Sequence, residues 1–198
     1  MESIENKILK HIKPLKQGTI LFTEDFREYG SASGVKTALH RLVKKKVLGH
    51  LARGIYAKPT YSDLLNQYVL PSAEQVAVAI AKRDKARLLP TGVYAQYILG
   101  LSTQIPLKLV YLTDASPRTI KIGKQSIRFV KTTPKNLALK GKISKLVVQA
   151  LKEIGKGKVT ELELEKIQEL LQKENKNDLK HDIALAPQWI AEIMANAL

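Results

Sequence analysis

Histidine, carboxylate and cysteine side chains supply most hydrolytic and metal sites, and this chain uses them sparsely. It has four histidines, His11, His40, His50 and His181, and no cysteine. Thiol nucleophiles, disulfides and Cys-based metal sites are thereby excluded. No two histidines stand at i, i+4 or within a ligand-spaced cluster. His181-Asp182 has the composition of a base and its orienter, but neighbouring helical positions point about 100° apart, so the spacing predicts that one does not orient the other. Asp114, at the end of an expected strand beside a basic hairpin, is the best seat for a nuclease metal. It has no partner, because no carboxylate occurs between Asp114 and Glu153. The run Asp114-Ala115-Ser116-Pro117 reads instead as an Asx turn. Gly155-Lys156-Gly157-Lys158 falls between two helical segments and reads as a flexible turn, not a phosphate loop. The sequence predicts no catalytic residue, no metal and no cofactor.

The other chemistry on offer is that of cations. With 33 Lys and Arg against 18 Asp and Glu, the 198 residues carry a formal charge of +15, which favours a polyanionic partner. The charge is unevenly placed. No acidic residue lies between Glu28 and Asp63, a window that holds Lys36, Arg41, Lys44, Lys45, Lys46, Arg53 and Lys58. Positions 80–158 have 17 basic and 3 acidic residues, and positions 159–198 have 4 basic and 8 acidic.

The elements that would carry the acid-free window can be read in order. Ile4, Ile8, Leu9 and Ile12 predict a first helix that stops before Pro14 and Gly18. Thr19-Ile20-Leu21-Phe22 is a short β-prone run. Thr23 then reads as the N-cap of a helix over 24–29, with Gly30 as a left-handed C-cap and Ser31 capping the next helix at once. In that next helix Val35, Ala38, Leu39, Leu42 and Val43 form the apolar face. Ser33, Thr37, His40 and Lys44 form the opposite one, flanked by Lys36 and Arg41. Such a face suits a major groove, with short polar groups at base edges and longer cations on phosphates. Val47–Ala52 and Ile55–Ala57 read as a hairpin with Arg53-Gly54 at its tip. Helix, strand, helix, helix and basic hairpin together spell a winged helix-turn-helix. The candidate DNA-binding residues are Ser33, Lys36, Thr37, His40, Arg41, Lys44, Lys45, Lys46 and Arg53. A lysine triplet at a helix C-terminus is also what the helix dipole alone favours.

Gly18-Thr19-Ile20-Leu21-Phe22, Asp25-Phe26, Ala38-Leu39-His40-Arg41-Leu42-Val43 and Leu51-Ala52-Arg53-Gly54-Ile55-Tyr56 resemble the N-terminal winged helix of the abortive-infection antitoxin and transcriptional-regulator family, AbiEi-type, of type IV toxin–antitoxin systems. The likeness continues through Arg83-Asp84-Lys85-Ala86-Arg87, Pro90-Thr91-Gly92, Leu99–Gln104 and Val110–Asp114. It implies promoter autoregulation and neutralisation of a nucleotidyltransferase-like toxin, and the family also includes stand-alone regulators.

Beyond a linker at 61–71, residues 72–198 read as a second domain. Ser72 and Gln75 pair as a capping box, Thr91 caps a helix ending at Gly100, and residues 107–112 form a strand. Residues 119–122 and 126–130 flank a turn at Gly123, with Ile120, Ile122, Ile127 and Phe129 on one side and Lys121 and Arg128 on the other. Ile143 to Ile154 is helical, Thr160 and Glu163 cap the next helix, and Pro187 starts a last one bearing Trp189. Lys82, Arg83, Lys85, Arg87, Lys121, Lys124, Arg128 and Lys131 make a second basic face, suited either to more phosphates or to an acidic partner.

The expected fold class is α+β: a winged helix-turn-helix at 1–60, then a mixed α/β domain with a small sheet and several helices. The expected function is sequence-specific transcriptional regulation, with autoregulating antitoxin as an extension and a toxin-neutralising interaction module as the alternative. The implied partners are double-stranded DNA, a nucleotidyltransferase-like toxin and a second copy of the chain as a homodimer. No apolar run spans a bilayer and no signal-type stretch opens the chain, which predicts a cytoplasmic protein with no membrane partner.

Overall fold

The computed structural model describes residues 2–198 and has a mixed α+β architecture. One compact unit runs to Ala79 and takes in Lys121–Gly123, and the other comprises Ile80–Ile120 and Lys124–Leu198.

In the first unit, Ser3 Oγ accepts from the Asn6 N–H at 3.2 Å and starts α1, Ile4–Ile12, which buries Ile8 and Ile12. The last carbonyls of α1 lack helical partners. Lys58 Nζ serves the end of the helix and the turn after it, donating to the carbonyls of Ile12, Lys13 and Leu15 at 3.3, 2.9 and 2.7 Å. Strand β1 is Ile20–Phe22, and α2 is Ala32–Lys44. Ser31 Oγ caps α2 by accepting from the Gly34 N–H at 3.2 Å. Val35, Ala38, Leu39 and Leu42 are buried along its inner face, as their spacing requires. Strands β2, Gly49–Ala52, and β3, Ile55–Ala57, complete an antiparallel sheet of order β1-β3-β2. Ile8, Phe26, Leu39, Leu42 and Leu48 form the centre of the core between helices and sheet.

Three local expectations are corrected. The segment Thr23–Tyr29 is a 3-10 helix, not an α-helix, and its first turn is closed by the Asp25 carboxylate, which accepts the Phe22 N–H at 2.7 Å. Thr23 therefore does not cap it. Gly30 is extended, with φ 161° and ψ −167°, not left-handed. A Cβ there would displace the end of the Ile4 side chain, which packs against it. The stretch 61–71, expected as a linker, instead forms most of a hairpin in which β4, Thr60–Ser62, pairs antiparallel with β5, Gln67–Val69.

Helix α3, Ala73–Arg83, opens with the Ser72/Gln75 capping box: the Gln75 N–H donates to Ser72 Oγ at 3.3 Å and the Ser72 N–H to Gln75 Oε1 at 2.8 Å. A short strand follows, β6, Leu88–Pro90, and then α4, Val93–Ile98. Thr91 does not cap α4. Its hydroxyl donates to Gln149 Oε1 at 3.0 Å, and Gly92, with φ 64°, turns the chain into the helix. Strands β7, Lys108–Thr113, β8, Arg118–Ile122, and β9, Gln125–Lys131, make with β6 a sheet of order β6-β7-β9-β8. β7 runs parallel to β9, with Leu109 opposite Ile127 and Tyr111 opposite Phe129, all four buried. Helices α5, Ser144–Ile154, α6, Glu161–Leu171, α7, Lys176–Leu185, and α8, Gln188–Ala195, pack Val147, Leu151, Ile167, Leu171, Leu179 and Ile190 into one apolar cluster. Thr160 and Glu163 form the reciprocal capping box their spacing requires.

Candidate nucleic-acid interface

Helix α2 turns Ser33, Lys36, Thr37, His40, Arg41 and Lys44 to solvent along one side, and Lys45, Lys46 and Arg53 are exposed as well. The Thr37 hydroxyl donates to the Ser33 carbonyl at 2.9 Å, and Ser33 Oγ lies 3.3 Å from Ser31 Oγ. With its proton committed to the helix, the Thr37 oxygen presents lone pairs outward, which suits it to accept from a base amino group. Ser33, Thr37 and Arg41 line, with Ser3, Ile4 and Glu5, an open groove of mixed polarity of about 380 Å³.

Two of the candidate cations are not solitary. Glu5 of α1 accepts from Lys45 Nζ at 2.5 Å, and its other oxygen lies 3.9 Å from an Arg41 nitrogen. Sequence reading missed Glu5, since an acidic residue in a first helical turn is accounted for by the dipole alone. Lys46 sits just past the helix at φ 58°. Its N–H donates to the Val43 carbonyl, and the Val47 N–H to that of Leu42, at 2.9 and 3.0 Å. That pair of bonds is a Schellman stop, built here with lysine at the left-handed position where glycine is usual.

Arg53 stands at the β2–β3 turn, where Gly54 takes φ 72°. The Gly54 carbonyl accepts the Thr23 N–H at 3.0 Å. Thr23 thus ties the hairpin turn to the start of the 3-10 helix. Lys58, counted among the basic residues of the acid-free window, is spent on the end of α1 and half-buried.

In the second unit Lys82, Arg83, Lys85, Arg87, Lys124, Arg128 and Lys131 are exposed, as is Lys121 at the β8 end. Asp114 corrects the Asx-turn expectation. Its carboxylate takes both the Arg87 backbone N–H, at 2.8 Å, and Nε, at 2.9 Å. The Arg87 hydrogen bonds hold the Asp114 carboxyl below the usual carboxylate range. Asp84 bonds Arg83 Nε at 2.9 Å and also the guanidinium of Arg118. Partial burial pushes the Asp84 carboxyl up, but the bonds from Arg118 and Arg83 outweigh it and leave it lowered. Arg118, absent from the expected set, also lies over the Phe129 ring, 5.1 Å from its centre.

His181 and Asp182 also depart from expectation: Nδ1 lies 2.9 Å from Oδ1. Side-chain torsions close the angle that helix geometry opens between adjacent Cβ atoms. Asp182 is fully buried and also accepts from the N–H groups of Lys140 and Gly141, at 2.8 and 2.9 Å, and from the Ser144 hydroxyl at 2.5 Å. It organises the turn that enters α5, jointly with Glu174, which accepts the Ile143 and Ser144 N–H groups. Among the described residues no three His, Asp or Glu side chains converge to hold a metal ion, and no helix is long and apolar enough to cross a membrane.

Comparison with curated proteins returns no match. Over residues 7–179 the chain matches the model of a family described as a family of unknown function, DUF6088, and it belongs to that family.

Proposed function

We propose that the protein is a sequence-specific, duplex DNA-binding transcriptional regulator of the cytoplasm whose reading head is a winged helix-turn-helix in residues 3–60. The observation that carries this reading is the outer side of α2. It presents Ser33, Thr37 and His40 between Lys36, Arg41 and Lys44, with no carboxylate of its own helix among them. Order and pairing support it too, because β1 and the β2–β3 hairpin flank the two helical segments as the winged plan requires. In this reading α2 enters the major groove, Ser33, Lys36, Thr37 and His40 face base edges, and Lys44, Lys46 and Arg53 meet phosphates. Lys45 and Arg41 join them when Glu5 releases them. The test is competition binding with the duplex upstream of the protein's own coding region. Preference over random duplex of equal length by at least about 10³-fold supports the reading, and no preference refutes it.

A second reading follows from the carboxylates of the second basic face. Asp84 and Asp114 already hold Arg83, Arg118 and Arg87, which reduces what this face offers to phosphates and favours a docking role, as in an antitoxin that neutralises a nucleotidyltransferase-like toxin. Co-expression with such a neighbouring gene tests it: growth is restored if the second unit neutralises the toxin.

A further inference from the structure

The β4–β5 hairpin concentrates exposed apolar surface. Leu64 is 93% and Tyr68 70% exposed, and Tyr61, Leu65 and Leu70 are exposed with them. A lone two-stranded hairpin is marginal in water, yet this one is anchored. The Tyr61 ring meets Tyr68 edge-on at 5.3 Å, and the Leu70 side chain packs directly on Gly49, where a Cβ would force it to move.

Its two edges are not equivalent. Residues of an antiparallel ladder turn their N–H and C=O groups alternately toward and away from the partner strand. The Tyr61 N–H donates to Gln17 Oε1 at 3.3 Å, so Tyr61 faces away from β5 and that edge is covered. Tyr68 lies directly opposite Tyr61. Its N–H and C=O therefore also face outward, on the far edge of β5. Exposed edges are normally blunted by lysine, but residues 59–71 contain no Lys or Arg in a chain of +15.

We propose that the outer edge of β5 is a homodimer interface, where Tyr68 of one copy pairs antiparallel with Tyr68 of a second about a twofold axis. The product is a continuous sheet of order β4-β5-β5-β4. A second copy is the occupant because an antiparallel edge is self-complementary: the same residue in each copy gives and takes one N–H···O=C bond. Charge selects the place. Two copies of +15 repel wherever their cations face each other, and this cation-free stretch lets them meet without adding to that repulsion. The Tyr61 and Tyr68 rings then continue across the axis as one apolar surface. The inference stands on the hairpin alone, and its test contains no DNA, so the DNA reading can fail without it.

Sedimentation equilibrium of the full chain across the micromolar range is expected to give a species of twice 22.1 kDa. Tyr68→Pro removes the outward N–H while sparing the ladder bonds of Gln67 and Val69, and Tyr68→Lys places like charges opposite each other at the axis. Each is expected to raise the dimer dissociation constant at least about tenfold, with an unchanged far-ultraviolet circular dichroism spectrum. Should proline disturb the hairpin, the lysine variant decides. A wild-type chain that stays monomeric, or a dimer that Tyr68→Lys leaves intact, overturns the proposal.

Discussion

Lys45 at the end of α2 reaches back to Glu5 on α1, with Nζ 2.5 Å from Oε1, while Arg41 stands 3.9 Å from the second oxygen of the same carboxylate. One acidic side chain thus draws on two cations of the proposed DNA face. The pair is more than half exposed on the lysine side, so its stabilising effect is at most about 1 kcal/mol. Glu5→Gln is expected to leave folding nearly unchanged and to tighten binding to every duplex alike. The fall of log affinity with log salt should steepen by about 0.9 for each phosphate gained. Anisotropy titrations at several salt concentrations measure this, and an unchanged slope would mean that Lys45 and Arg41 contact no phosphate.

Lys46 occupies the left-handed position of the Schellman stop at φ 58°. A side chain there costs about 1 kcal/mol relative to glycine. Lys46→Gly is therefore expected to stabilise the protein by about that amount in urea unfolding, whereas Lys36→Gly, inside α2, should destabilise it by about 1 kcal/mol. If Lys46 also meets a phosphate, the same glycine variant loses affinity while gaining stability, and the two readouts separate the roles.

What was legible in the sequence is what depends on neighbours a few residues away. The inner face of α2 follows from its apolar period, and the Ser31, Ser72/Gln75 and Thr160/Glu163 caps follow from i to i+3 spacing. The illegible part is set by partners far along the chain. Lys45 finds Glu5 across 40 positions and Arg87 finds Asp114 across 27, and no local pattern announces either. Lys58 looked like one more surface cation until α1 ended beside it. Gly30 carries the signal of a left-handed cap, but it is extended and packed against by the Ile4 side chain, a tertiary contact. Six of the nine candidate residues, Ser33, Lys36, Thr37, His40, Arg41 and Lys44, share the solvent-facing side of α2 because helical period fixes direction. The pairing of Arg41 and Lys45 is set by a different helix, through Glu5 of α1.

Asp182 is fully buried with three donors besides His181. Asp182→Ala would strand the Lys140 and Gly141 N–H groups and the Ser144 hydroxyl. The expected cost is about 3–5 kcal/mol, or roughly 6–20 °C in thermal midpoint. His181→Ala, at a partly exposed ring, is expected to cost about 1 kcal/mol or less. Thermal denaturation of both variants checks the order, and equal losses would make the histidine a structural equal of the aspartate.

Acid should weaken the second unit through Asp84 and Asp114. Both carboxyls are lowered from the ordinary 3.8 in the folded state. A lowered folded value means that the stabilisation is complete above the unfolded value and is lost as pH falls through the folded one. Urea midpoints should be insensitive to these groups above about pH 5 and should decline below about pH 4. Asp84→Asn is expected to flatten that acid limb. An identical decline in the variant would assign the acid sensitivity to other carboxylates.

The central claim is that α2 reads bases, and three proteins titrated onto two duplexes test it most directly. Wild type, His40→Ala and Lys44→Ala are each measured by anisotropy, at one salt concentration, on the upstream duplex and on a random duplex of the same length. Wild type is predicted to prefer the upstream duplex. His40→Ala should lose about 1–3 kcal/mol of that preference, while Lys44→Ala should weaken both duplexes equally. A wild-type chain that binds both duplexes alike, or a His40→Ala variant whose preference is untouched while Lys44→Ala also changes nothing, would contradict the assignment of this face to DNA.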